Sequence, residues 1–162
     1  MSPQPPATPP YGAHDAYDAY DTVSEAVRGM SETDICARFD LHPHDNGGFI
    51  SATSTPPLLL LAVGDCLTWQ KANMDIEFMF LAGAPLALSW SEDGNHAAAI
   101  HLGSALPHHQ TAQPIAQQVW HTAESLGAWS LLALHGMSAD TLIETAPADW
   151  FPTPMAAPLG QA

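Results

Sequence analysis

Basic side chains are nearly missing. The 162 residues include 3 Lys+Arg (Arg28, Arg38 and Lys71) against 17 Asp+Glu, a formal net charge of -14. Binding a phosphate backbone needs a run of cations, so nucleic-acid recognition is excluded, and the same deficit argues against an anionic membrane surface. Cysteine is scarce: Cys36 and Cys66 stand in unrelated contexts with no CxxC spacing, and are expected as buried free thiols in a reducing cytoplasm. Long apolar runs are lacking too. The longest, Leu58 to Val63, is far too short to span a bilayer. The opening MSPQPPATPPYGAHDAYDAYD has neither the basic start nor the apolar core of a secretory signal, so cytoplasmic residence is the default expectation. There is no GxGxxG, Walker loop, G-x-S-x-G or H-E-x-x-H, and nothing nominates a nucleophilic triad.

What is present is enough for one folded domain with a tail. Apolar residues make up 46% of the chain, which supports a sizeable core and rules out wholesale disorder. The 9 His make the net charge depend steeply on pH between roughly 5 and 7. The acidic excess reads as a solvated surface that keeps the protein soluble.

Residues 1–20, rich in Pro, Ala, Tyr and Asp, read as a disordered leader, residues 21–149 as the folded domain, and residues 150–162 as a Pro/Ala-rich C-terminal tail. Thr22-x-x-Glu25 and Ser31-x-x-Asp34 have the form of capping boxes, with Gly29 fitting a helix end between them. Ile35 and Phe39, four apart, give a short helix one apolar stripe. From His42 onward the texture is of short strands between turns: Phe49-Ile50, Leu58 to Val63, Leu67 to Lys71, Phe78 to Leu81, Pro85 to Ser91, Ala97 to Leu102, Ile115 to His121, Ala128 to Leu134 and Thr141 to Thr145. Glu92-Asp93-Gly94-Asn95 is a hairpin turn, and turns recur about every ten residues, so the expected class is all-β, a sandwich or small barrel.

Two stretches carry most of the information: GDCLTWQKANMDIEFMFLAGAPL at residues 64–86 and VWHTAESLGAWSLLAL at residues 119–134. The strand after Gly64 and the hairpin closing at Gly83 resemble the first conserved motif of the cupin superfamily, and His121 stands where the lone histidine of the second motif would be. DLHPHDNGGFI, the Trp69-Gln70 step, FMFLAGAPLALSWSEDG, Leu102-Gly103, Trp120, Leu126-Gly127 and Trp129 are similar, in order, to the small single-domain RmlC-like cupins, a family of unknown function. The resemblance covers residues 31–146 and implies a jelly-roll barrel with one or two short N-terminal helices, paired as a homodimer. Pairing would also cover exposed strand edges.

The departures bear on chemistry. Gln70 and Ala72 replace the histidines of the first motif, and Ala116 and Gln118 replace the proline and glycine of the second. The motif carboxylate falls at Ile76 or at Glu77, depending on spacing. Phe78 and Phe80 share one strand face, Glu77 and Met79 the other. If the phenylalanines fill the barrel, Glu77 points outward; a bulge would turn it inward. The first arrangement is favoured, because a bare carboxylate among apolar side chains is costly. The metal candidates that remain are Gln70, Glu77 and His121, and the expectation is a degraded site with no cofactor, a divalent metal being the alternative.

The first functional expectation is a pocket protein for a sugar-like or otherwise polar metabolite. Gln70 and His121 would be its polar contacts, and Trp69, Phe78, Phe80 and Trp120 its walls. The alternatives are an RmlC-like sugar epimerase or isomerase with His121 or His44 as general base, and a metal-dependent cupin enzyme. A purely structural, dimerising role is the bland counterpart.

Overall fold

Two six-stranded sheets face each other and share one apolar interior. The computed structural model describes residues 23–51, 54–104, 110–147, 149–150 and 152–154. The expected leader, Thr22 and most of the expected tail lie outside the described residues. The strands are β1 (Leu41–Pro43), β2 (Phe49–Ser51), β3 (Leu58–Ala62), β4 (Gln70–Ala72), β5 (Ile76–Gly83), β6 (Leu86–Ser91), β7 (His96–Leu102), β8 (Ala112–Ile115), β9 (Trp120–Ser125), β10 (Trp129–His135), β11 (Ile143–Thr145) and β12 (Thr153–Pro154). Sheet one runs β1-β2-β3-β10-β5-β8 and sheet two β11-β4-β9-β6-β7-β12, with every pairing antiparallel except β12 on β7. This is the all-β jelly-roll architecture expected from the sequence. Among the described residues no helix is long and apolar enough to cross a membrane.

The apolar run of β3 is explained by burial on both faces. Leu59 and Leu61 enter the interior between the sheets, with Phe78, Phe80, Leu132 and Leu134. Leu58 and Leu60 face the other way, into a second cluster with Leu131, Ala133, Val27 and Ile35. That outer cluster is covered by a helical turn at residues 23–26 and by helix α1 (Glu32–Phe39). Helix α1 starts where the capping box placed it: the Asp34 N–H donates to Ser31 Oγ at 3.2 Å, and the Ser31 N–H donates to Asp34 Oδ2 at 3.4 Å. Such a cap is worth about 1 kcal/mol. Ile35 is fully buried, which contributes about 2 kcal/mol, and Phe39 packs at the edge of the same cluster.

Two expectations need correction. Cys36 is half-buried and Cys66 is exposed, so they are not a pair of buried thiols. Cys36 lies on the helix side turned partly to solvent, where burial, helped by Glu32, raises its pKa. The run Ile115 to His121 is not one strand: β8 ends at Ile115 and β9 begins at Trp120. The break is at Gln118, which has φ 64° and donates its N–H to the Ala72 carbonyl. Gln118 thus takes up the left-handed conformation that a glycine at this motif position would supply more cheaply.

Candidate functional site

Strand register assembles the site. On sheet two Gln70 of β4 pairs with His121 of β9, His121 pairs with Trp90 of β6, and Trp90 pairs with Ala98 of β7. Residues directly opposite in a ladder share a face, so the four form one row across the sheet. The row faces inward: Leu86 and Leu88 precede Trp90 on the same face of β6, Ala72 follows Gln70 and Ala123 follows His121, and all of these sit in the shared interior. Trp90 packs against the same cluster.

Gln70 and His121 are 6% and 1% exposed, in a lumen otherwise lined by Leu, Ile, Phe and Ala. The His121 ring meets Phe78 edge-on, with centroids 5.4 Å apart and planes at 74°. His121 Nδ1 lies 3.0 Å from the Val119 carbonyl oxygen, which can only accept, so Nδ1 carries the proton. Burial holds the imidazole pKa below its ordinary value, against a smaller upward pull from the Val119 bond. The ring is therefore neutral, and Nε2 offers a lone pair. The Gln70 amide nitrogen, 3.4 Å away, donates towards it. That orientation leaves Gln70 Oε1 buried without a partner among the described residues.

Trp90 also lines a cleft of about 340 Å³ together with Glu92, Asp93, His96 and Ala98, at the β6–β7 hairpin end of the barrel. The hairpin turn is tightly tied. Asp93 Oδ1 accepts from the backbone N–H groups of Asn95 and His96, both at 2.8 Å, and Asp93 Oδ2 meets His96 Nδ1 at 3.0 Å. The His96 ring bond first, and the backbone donors second, hold the Asp93 carboxyl well below the usual carboxylate range.

The residues expected from the sequence fall into separate groups. Gln70, Phe78, Phe80 and His121 come together inside the barrel. Trp69 and Trp120 do not join them; they pack against Trp150, with centroids 5.9 Å and 4.9 Å from it. Lys71 Nζ stands 4.8 Å over the Trp120 ring, so this aromatic group lies on the opposite face of the β4–β9 pair from Gln70 and His121. His44 closes the β1–β2 turn, its N–H donating to the Gly48 carbonyl. Glu77 alternates away from Phe78 and Phe80 and pairs with His135 and Pro114. β5 does carry a bulge, but at Leu81, beyond both phenylalanines. The sequence reasoning does not single out Trp90, although it continues the alternation of Leu86 and Leu88 along β6.

The donor set does not fit a divalent transition metal. Such an ion takes at least three N, O or S ligands from the protein. Here the motif positions supply one imidazole, one amide and an alanine, while Glu77 faces away. Among the described residues no group of three or more His, Cys, Asp or Glu is placed to hold one.

The fold is similar to that of a Shewanella oneidensis protein known from its crystal structure, with TM-score 0.63 and 17% identity over 72% of this chain and 85% of that one. A hypothetical protein from Leishmania major follows at TM-score 0.55 and 14% identity, over 64% of this chain and 79% of that one. At these identities the likeness is one of fold. A dTDP sugar isomerase from Desulfovibrio desulfuricans, at TM-score 0.45 and 16% identity over 65% of this chain and 68% of that one, is too distant to bear on the chemistry here. No curated protein matches the sequence. The family model described as "Cupin superfamily (DUF985)" matches residues 52–136, a span that contains Gln70, Trp90 and His121, and the chain belongs to that family.

Proposed function

We propose that the barrel is a metal-independent pocket for a small polar molecule, held by Gln70 and His121 between Phe78 and Trp90. The observation that supports this most is the orphaned Gln70 Oε1 beside a neutral His121 in an apolar lumen. Leaving a buried acceptor unpaired costs about 1–3 kcal/mol, which a leucine at this position would avoid. A ligand that donates a hydrogen bond removes that cost. In a thermal-shift screen over sugars, polyols, small amines and small acids, some compounds should stabilise the wild type and none should stabilise Gln70→Leu to the same degree. If no compound stabilises the wild type, the reading fails and the barrel is a structural scaffold.

A second reading, proton transfer by His121, draws support from its neutral ring and the long 3.4 Å contact to Gln70, which an incoming acid proton could replace. A nucleotide-sugar substrate is not favoured. Its pyrophosphate needs cations, and Lys71 lies over Trp120 on the outer face, while Arg38 sits in the last turn of α1. Pairing of two copies through the sheet edges belongs to the same proposal and would show as a dimer mass in solution.

A further inference from the structure

We infer that the cleft at the β6–β7 end of the barrel selects a small organic cation that keeps N–H donors: a protonated amine carrying an apolar face. This rests on the pocket reading above and names the ligand class it would take. Trp90 is the link, because its ring belongs to the inward row with His121 and Gln70 and also lines the cleft. An indole face attracts cations through its quadrupole. Glu92 and Asp93 stand on the same cleft wall. Asp93 is pinned by Asn95, His96 and Ser91, so it acts on a ligand through its fixed negative charge and not by swinging onto it. The His96 ring is turned onto Asp93. Lys71 is engaged with Trp120 and Glu144 on the outer face, and the chain as a whole carries a formal charge of -14. An anionic ligand would therefore meet repulsion throughout its approach, and a cation would be drawn in.

Gln70 does not line the cleft, but it lies two strands along the same inward row, beyond His121, and makes a demand of the same kind. Gln70 turns one amide N–H to His121, and its atom left wholly without a partner among the described residues is Oε1, an acceptor. A carboxylate or phosphate would bring a further acceptor to it. A hydroxyl brings a donor without charge. An ammonium that retains N–H is attracted by the carboxylates and the indole at the cleft, and carries the donor that the orphan oxygen along the row lacks. The cleft volume, about 340 Å³, is at the small end of ligand pockets, the size of one ring with a short substituent.

Matched probes on the full-length protein test this: benzylamine, benzyl alcohol and benzoate, which share a ring and differ in charge, with glucose as a neutral polyol. Binding is followed by NMR, with the Trp90 indole N–H assigned through Trp90→Phe. Benzylamine should shift that resonance and bind at least about tenfold tighter than benzyl alcohol or glucose. Benzoate should not bind, and added salt should weaken the amine. Glu92→Gln, at an exposed turn position, should weaken benzylamine about threefold or more. Equal binding of the alcohol or glucose, binding of benzoate, or an amine affinity indifferent to both Glu92→Gln and Trp90→Phe would overturn the inference. If benzylamine shifts nothing while sugars or acids still stabilise the wild type in a Gln70-dependent way, the cation selectivity falls and the pocket stands. If no compound in either series binds, both fall.

Discussion

Sheet one is apolar on both faces through its centre, β3-β10-β5: Leu59, Phe80 and Leu132 fill the interior, while Leu60, Leu131 and Ala133 meet the N-terminal helical segment. Sheet two faces the same interior but sets Gln70, His121 and Trp90 into it. Both sheets bury polar side chains, and the difference lies in one of them, since Ser91 of sheet two is also bonded locally, its Oγ accepting the Gly94 N–H. Ser51 and Ser130 of sheet one are satisfied locally: Ser51 Oγ accepts the Leu58 N–H, and Ser130 donates to the Ala84 carbonyl. Gln70 of sheet two keeps an oxygen that is unpaired among the described residues. One wall is complete by itself, and the other lacks one hydrogen-bond donor. On the proposed function, stability belongs mainly to the first wall and recognition to the second.

The largest expected effect tests the first half of that contrast. Leu132→Ala removes a fully buried side chain paired between Leu59 and Phe80, and should cost about 2–5 kcal/mol in urea unfolding. Gln70→Leu, at equal depth on the opposite wall, should behave otherwise. The variant removes one buried acceptor without a partner and leaves another, His121 Nε2, so unfolding free energy should stay within about 1 kcal/mol of the wild type while ligand-induced stabilisation disappears. If Gln70→Leu costs as much as Leu132→Ala, the two walls are equivalent and the contrast is gone.

How far each wall could be read in the sequence follows the same division. Sheet one was legible because its signals are local. Leu58 to Val63 reads as a strand, and the alternation of Glu77, Phe78, Met79 and Phe80 tells which faces turn inward. The capping box of α1 and the Glu92–Asn95 turn are likewise written in adjacent residues. The row on sheet two depends on register among β4, β9, β6 and β7, strands far apart in sequence, and no local pattern sets Trp90 opposite His121. Trp69 and Trp120 were plausible walls only while their partner was unknown. Trp150 returns from the C-terminal end to pack on both, an encounter visible only in three dimensions. Gln118 was hidden for a related reason, since its positive φ is stabilised by a bond to Ala72 across the chain.

Acid should separate the walls as well. His121 is held neutral by burial, so near its ordinary pKa of 6.5 the unfolded chain binds a proton that the folded chain refuses. Its contribution to stability is therefore complete above about pH 6.5 and declines as pH falls from there towards the lowered folded value. The chain carries 9 His, so the useful quantity is the difference between wild type and His121→Leu. That difference should shift in favour of the variant on acidification from pH 7.5 to pH 5.5, read by chemical denaturation. A constant difference would mean that His121 is not shielded and that the lumen is wetter than the row implies. Asp93 acts with the opposite protonation in a lower window. Its depressed carboxyl supports the hairpin above its ordinary pKa of 3.8 and loses that contribution below it, so cleft binding should outlast mild acid.

The smallest effect is expected outside the barrel. Lys71 alternates with Gln70 on β4 and turns outward, over Trp120 at 4.8 Å and beside Glu144 at 3.9 Å. A partly exposed cation–π contact and a surface ion pair of that length together contribute under about 1 kcal/mol. Lys71→Gln should therefore change unfolding free energy by no more than that and leave binding in the lumen unaltered, although residue 71 adjoins Gln70 in sequence. A clear loss of binding in Lys71→Gln would show that the outer tryptophan group and the inner row are coupled through β4, and the division between the two faces of sheet two would have to be withdrawn.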